Sequence, residues 1–169
     1  AQRDSSFSLS FVVPENLLSF DTLVSVRKGE NVFFVPFSID NPRLWNPVGN
    51  GEPLLYTLKV SIGSNSPVYR KFGCREIVLN QDKDSVGSSF YFTINGKRKF
   101  IKGSNIVPPD LIPSRVRDDV YENLVLQAKN ANMNMLRIWG GGYYFPDGFY
   151  DYCDRYGIMI WQDFMFACA

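Results

Sequence analysis

The side chains with the most chemical promise stand in Arg137-Ile138-Trp139-Gly140-Gly141-Gly142, where a guanidinium, an indole and three glycines follow one another. A phosphate-cradling loop is the first chemistry such glycines suggest. The spacing argues against it. A dinucleotide fingerprint runs GxGxxG directly into a helix and a P-loop ends in Gly-Lys-Ser/Thr, whereas Tyr143, Tyr144, Phe145 and Pro146 follow here with no lysine. Glycines beside an indole let the backbone turn tightly and leave a ring face open, which suits stacking on the apolar face of a sugar. The same ring plugging the top of a core is the plain alternative. Arg137 sits in an apolar run where an unpaired guanidinium is costly, so a carboxylate partner is expected. Asp163 is one such partner, and an acid elsewhere in a longer chain is another.

Glycoside hydrolysis requires two carboxylates facing each other across a scissile bond. The glutamates are Glu15, Glu30, Glu52, Glu76 and Glu122: four lie in a strand-rich first region and the last lies on a helix. Only Asp163 and Asp110 are acids in suitable places, and Asp110, after Pro108-Pro109, has the look of a turn residue. The chain therefore does not assemble a two-carboxylate site from its own residues. It contains no histidine, which removes imidazole bases and His-ligated zinc from its own repertoire. Cys74, Cys153 and Cys168 form no CxxC pair and are odd in number, so buried free thiols are expected.

Two textures must position these groups. Up to about Leu79 the chain alternates with period two, as in Phe7-Ser8-Leu9-Ser10-Phe11 and Tyr56 to Ile62. Thr22 to Val26, Val32 to Ile39 and Val68 to Val78 are the further strands, with turns at 28–31 and 63–66. Five short strands predict an antiparallel sandwich, a strand or two short of the usual seven. After a polar linker, 81–89, a hairpin is expected around Asn95-Gly96, because a type I′ turn needs positive φ at both central residues. A helix from about Arg115 to Ala131, N-capped by Ser114, then leads to a strand within 133–139. Asn132 to Met135 reads as a helix end entering a buried strand. A second helix, Asp147 to Tyr156 closed by Gly157, precedes a strand at 158–161. Strand, helix, strand, helix, strand is the grammar of a parallel sheet. Sites in such sheets gather at the carboxyl ends of strands, where Asn105, Arg137, Trp139, Gln162 and Asp163 fall.

The 169 residues carry 45% hydrophobic and 15% aromatic side chains, enough for one ordinary core or two small ones. A net charge of +1 offers no field to gather nucleic acid, and the longest apolar runs fall far short of the roughly 20 residues that span a bilayer. Neither a nucleic acid nor a membrane is expected as a partner.

The stretches Ala128 to Gly142 and Trp161 to Cys168, with Asn41-Pro42-Arg43-Leu44-Trp45-Asn46-Pro47-Val48-Gly49-Asn50-Gly51-Glu52-Pro53-Leu54-Leu55-Tyr56 before them, closely resemble β-mannosidases of glycoside hydrolase family 2. The Asn41–Tyr56 stretch is similar to the family's signature in its immunoglobulin-like domain, and Phe100 to Asn105 resembles barrel strand one and its loop. The resemblance implies a multidomain fragment: an immunoglobulin-like β-sandwich over 1–79, incomplete at its N-terminus, and the first βα units of a (β/α)8 barrel over 80–169. A whole barrel takes about 250 residues and eight strands. The parent would be a retaining exo-β-mannosidase that removes terminal β-mannose from oligosaccharides and needs no metal or cofactor. Trp139, Asn105 and Asp163 would face the sugar, and Arg137 would support the nucleophile. Both catalytic glutamates would lie beyond Ala169, leaving this piece inactive. An open barrel edge would invite self-association. Lysosomal placement in a eukaryote, or periplasmic or secreted placement in a bacterium, is also implied. Phe145 and Ile106 depart from the family's usual residues. Another family 2 glycosidase, of β-galactosidase or β-glucuronidase type, is one alternative, against which the Trp139 to Gly142 and Trp161 to Cys168 stretches speak; a non-catalytic sugar-binding or scaffold module is the other, distinguished from the enzyme by strand-end glutamates in the downstream reading frame.

Overall fold

A computed structural model describes residues 4–14 and 18–167; Glu15 and Cys168 lie outside them. The chain is mostly β and divides into two compact units, Ala1–Arg43 with Leu55–Phe72, and Leu44–Leu54 with Gly73–Ala169.

The first unit is a four-stranded antiparallel sheet. Its strands are β1 (Ser5–Val13), β2 (Leu18–Val26), β3 (Tyr56–Ile62) and β4 (Val68–Phe72), in the order β2-β1-β3-β4. Alternation sets the register: Leu9, Phe11 and Val13 point to one face and are buried, and Phe11 lies opposite both Phe20 and Val60. The Phe11 and Phe20 rings stack at 5.0 Å. The stretch expected as a strand over Val32 to Ile39 forms no ladder. Pro36 removes a donor from its middle, and Phe33, Val35 and Phe37 instead line the apolar trough on the sheet, with Phe37 edge-on to Phe72 at 6.0 Å. Among the described residues of this unit no second sheet faces the first, so the expected sandwich is present as one layer. The expected strand Val68 to Val78 is two, because β4 ends at Phe72 and β5 (Ile77–Asn80) belongs to another sheet.

The second unit holds two three-stranded sheets. β5, β6 (Tyr91–Ile94) and β7 (Lys97–Lys99) are antiparallel, and Asn95 and Gly96 turn the hairpin with φ of 50° and 74°. β8 (Gly103–Ile106), β9 (Met135–Ile138) and β10 (Met159–Gln162) are parallel in the order β10-β9-β8. The crossovers carry α1 (Asp118–Asn130) and α2 (Asp147–Tyr156). Helix α1 begins later than expected, because Pro113–Arg115 makes a separate 3-10 turn and Arg117, not Ser114, occupies the N-cap. No side chain caps it; Asp118 and Asp119 in its first turn complement the helix dipole instead. Helix α2 ends as expected, with Gly157 left-handed at φ 80°.

Tyr121, Val125 and Ala128 of α1 and Phe149 and Cys153 of α2 pack on Ile106, Leu136, Ile138 and Ile158. Phe145 and Ile106, the two departures from the family pattern, are both buried in this cluster, where they fill volume. Asn134 is also fully buried, and its amide is satisfied: it donates to the Phe100 carbonyl at 3.0 Å and its Oδ1 accepts from Lys102 N–H at 2.9 Å. The step from helix to strand is thus structural, with Asn132 at φ 58°.

The segment Leu44–Leu54 interrupts the first unit in sequence but bonds within the second. Trp45 is fully buried; its indole N–H donates to the Asp154 carbonyl at 2.7 Å, and Arg75 lies over its ring at 4.5 Å. Val48 N–H donates to the Gly157 carbonyl at 2.9 Å, and Lys99 Nζ reaches Asn50 Oδ1 at 2.7 Å. Burial lowers the Lys99 pKa, with Lys102 adding repulsion.

Candidate active-site edge of the parallel sheet

In β9, Leu136 and Ile138 point to the helix-covered face, so Arg137 between them points to the other. Register places Arg137 beside Asn105 on one neighbouring strand and beside Trp161 on the other. Three polar or aromatic side chains thus form one row across the sheet. Trp161 turns toward Phe90 and Phe92, at ring separations of 6.2 and 6.3 Å. Its parity with Arg137 is the signal that could have placed it in this row from sequence.

Asp163 follows β10 directly and meets Arg137 in a two-pronged ion pair. Arg137 Nη2 donates to Asp163 Oδ2 at 2.6 Å and Nε donates to Oδ1 at 3.2 Å. Arg137 Nη1 donates to Asn105 Oδ1 at 3.1 Å. The carboxylate expected near Arg137 is therefore that of Asp163, 26 residues further along the chain and just past the next strand. Paired forks of this kind restrict direction as well as adding energy.

The glycines are explained one by one by close neighbours. A β-carbon on Gly140 would lie 2.6 Å from the Phe164 carbonyl oxygen, and the Gly140 amide donates to Asp163 Oδ2 at 3.3 Å. A β-carbon on Gly141 would fall 2.2 Å from Cζ2 of Trp139, and one on Gly142 would fall 2.6 Å from Pro108. The run lets the chain pass under the indole and beside the loop after β8. Trp139 itself is half-buried, anchored by its amide to the Ile106 carbonyl at 3.2 Å. Gln162 was placed at the strand end by sequence alone, and it accepts from the Tyr150 hydroxyl at 2.7 Å while its amide donates to the Asp163 carbonyl at 2.8 Å. Burial raises the Tyr150 pKa. Asp110 behaves as a turn residue: its Oδ1 accepts from Ile112 N–H at 2.9 Å, and Arg115 approaches its other oxygen at 3.4 Å.

The structure thus brings Asn105, Arg137 and Asp163 into direct contact and sets Trp139 on the adjoining loop. No glutamate stands at this edge among the described residues, and no group of three His, Cys, Asp or Glu side chains there could hold a metal. No helix among the described residues is long and apolar enough to cross a membrane.

Comparison with known proteins gives this edge a setting. Residues 8–75 match the family described as "Glycosyl hydrolases family 2". "Beta-mannosidase" of Capra hircus is 39% identical over 168 residues, covering 93% of this chain and 19% of its own. "Beta-mannosidase B" of Aspergillus clavatus is 39% identical over 139 residues, covering 80% and 16%. The crystal structure of a β-D-mannosidase from Dictyoglomus thermophilum superposes with a TM-score of 0.89 at 38% identity, over 99% of this chain and 22% of that one. The chain therefore spans about a fifth of the length of these relatives.

Proposed function

The chain belongs to glycosyl hydrolases family 2, and on that premise we propose that it is a segment of a retaining exo-β-mannosidase that removes terminal β-mannose from oligosaccharides. The observation that carries this reading is the similarity to β-mannosidases, at 38–39% identity over almost the whole chain, across the residues that build the Asn105–Arg137–Asp163 contact. In this reading residues 1–79 contribute an immunoglobulin-like domain and residues 80–169 the opening βα units of a (β/α)8 barrel. The parallel order of β8, β9 and β10 with two helical crossovers supports the second part.

Hydrolysis with retention takes two carboxylic acids about 5 Å apart. One protonates the leaving oxygen while the other attacks the anomeric carbon, and water then releases the sugar as the first group turns base. Both glutamates come from parts of the parent protein outside these residues. What this segment supplies is recognition and orientation. Trp139 offers an indole face to the apolar side of the non-reducing mannose, and Asn105 offers a side-chain amide to its hydroxyls. Arg137 retains donors beyond its three hydrogen bonds, and these hold the nucleophilic carboxylate ionised and aimed.

The test is turnover of p-nitrophenyl β-D-mannoside by the full-length protein, beside the galactoside and glucuronide. Mannoside should be preferred, and the 169-residue segment alone should show none. Preference for another glycoside, or turnover by the pure segment, overturns the reading.

A further inference from the structure

We propose that Asp163 is a positioning residue, whose carboxylate aims Arg137 and ties down the loop bearing Trp139 rather than binding the sugar; this rests on the β-mannosidase reading above. The hydrogen bonds carry the argument. Asp163 Oδ1 is taken by Arg137 Nε at 3.2 Å, and Oδ2 is shared by Arg137 Nη2 at 2.6 Å and the Gly140 amide at 3.3 Å. Both oxygens are therefore engaged before any ligand arrives. The Asp163 side chain is 20% exposed, whereas that of Arg137 is 41% exposed, so the guanidinium is the member of the pair that remains open to a visitor. Three hydrogen bonds, two to Asp163 and one to Asn105, occupy three of the five guanidinium N–H donors. The remaining donors are left in a plane that Asp163 and Asn105 define.

Asp163 acts on the loop through the Gly140 amide, one residue after Trp139. The loop is bound a second time, by the Ala167 amide donating to the Gly140 carbonyl at 3.2 Å. A single carboxylate thus fixes the direction of Arg137 and one of the two anchors of the residue next to the indole. Misplacement of a positioning group by about 1 Å can cost on the order of 10²-fold in rate. The expected signature is loss of kcat, because aim matters most when charge develops in the transition state.

The experiment uses the full-length protein and the variants D163N, D163E, R137Q and the double variant D163N/R137Q. D163N should lower kcat by about 10- to 100-fold while KM changes little. D163E keeps the charge on a longer arm and should retain more of kcat than D163N. Because Asp163 acts largely through Arg137, the double variant should be scarcely slower than R137Q. A raised KM with unchanged kcat in D163N or D163E would make Asp163 a direct sugar ligand and overturn the proposal. Losses that multiply in the double variant would overturn it as well. If the wild-type protein acts on a different glycoside, the functional reading fails while the same variants, assayed on that glycoside, still decide the role of Asp163. A crystal structure of full-length D163N gives a reading that needs no turnover: Arg137 should leave its place beside Asn105, and an unmoved guanidinium counts against the proposal. Should D163N not fold, D163E supplies both readings.

Discussion

The sheet β1–β4 and the sheet β8–β10 solve the same burial problem in opposite ways. The first has strands of up to nine residues in antiparallel pairs, two of the three pairs between chain neighbours and the third between β1 and β3, with one apolar face lined by Leu9, Phe11 and Val60 and a trough of about 1100 Å³ above it. The second has four-residue strands, paired only after crossovers of about 30 and 20 residues, and one face is sealed by α1 and α2. Antiparallel pairing asks only for tight turns, whereas parallel pairing requires a crossover that brings its own cover. With the helices closing one face, the other face and the carboxyl edge are left for polar groups, and there Asn105, Arg137 and Asp163 meet. In the four-stranded sheet the periodicity is spent on burial, and no comparable polar cluster forms among its described residues.

The largest expected effect separates the two layers by cavity cost. Phe149 is fully buried and touches the rings of Tyr121, Phe145 and Tyr150. Phe149→Ala should destabilise the second unit by about 3–5 kcal/mol. Phe11→Ala, on a sheet whose trough is open, should cost distinctly less, because the site loses contacts on one side only. Urea unfolding of the full-length protein, followed by fluorescence and by limited proteolysis mapped to each unit, reads both. Equal losses would remove the distinction between a sealed and an unsealed layer.

A smaller contrast comes from two left-handed glycines. Gly63, at φ 52°, has nothing within 4 Å of where a β-carbon would stand. Gly157, at φ 80°, would place it 3.2 Å from the Val48 nitrogen and 3.3 Å from the Asn46 carbonyl oxygen. Gly63→Ala should cost about 1 kcal/mol from backbone conformation alone, and Gly157→Ala should cost more through loss of its fit to the 44–54 segment. Thermal melting of the two variants ranks them, and the reverse order would refute that fit.

Reactivity of thiols sharpens the picture further. Cys153 is buried in the helix-covered core, and burial pushes its thiol far above the ordinary range; Cys74 is half-buried. Iodoacetamide at pH 8, with peptides mapped by mass, should label Cys74 well before Cys153 in the native protein and both alike after denaturation. Early native labelling of Cys153 would mean that the helices open readily.

What could be read from the residues follows the range of the interactions involved. Gly157, Asn95-Gly96 and the two crossover helices were legible because each depends on a few neighbouring residues. The Arg137–Asp163 pair, 26 residues apart in sequence, was legible through the cost of an unpaired guanidinium in an apolar strand. The attachment of Leu44–Leu54 to the second unit was not, since the Trp45 indole finds its acceptor 109 residues away and nothing local points to it. Val32 to Ile39 has the alternation of a strand, yet alternation describes a face and does not supply a partner. Ser114 looks like an N-cap, but the prolines at 108, 109 and 113 favour a separate turn before α1 can begin.

The smallest expected effect concerns alkaline pH and touches only the helical layer. Tyr121 and Tyr152 are both pushed up to about 12, Tyr121 chiefly by burial and then by its contact with Tyr143, and Tyr152 chiefly by its hydrogen bond to Asp118. A raised phenol pKa means that the folded state holds the proton more tightly than the unfolded chain does. The stabilisation is therefore complete below pH 10, where both states are protonated. It declines as pH rises from 10 through 12, where the unfolded chain ionises first. The urea midpoint of the second unit should fall over this interval. Tyr152→Phe removes one contributor, so its midpoint should be lower at neutral pH but less steep between pH 10 and 12. Absorbance at 295 nm should show correspondingly fewer late-titrating phenols in the variant. An equally steep alkaline decline in Tyr152→Phe would show that the Asp118 contact is open in solution, leaving Tyr156 and Arg155 on Glu122 as polar ties between α1 and α2 beside their apolar faces.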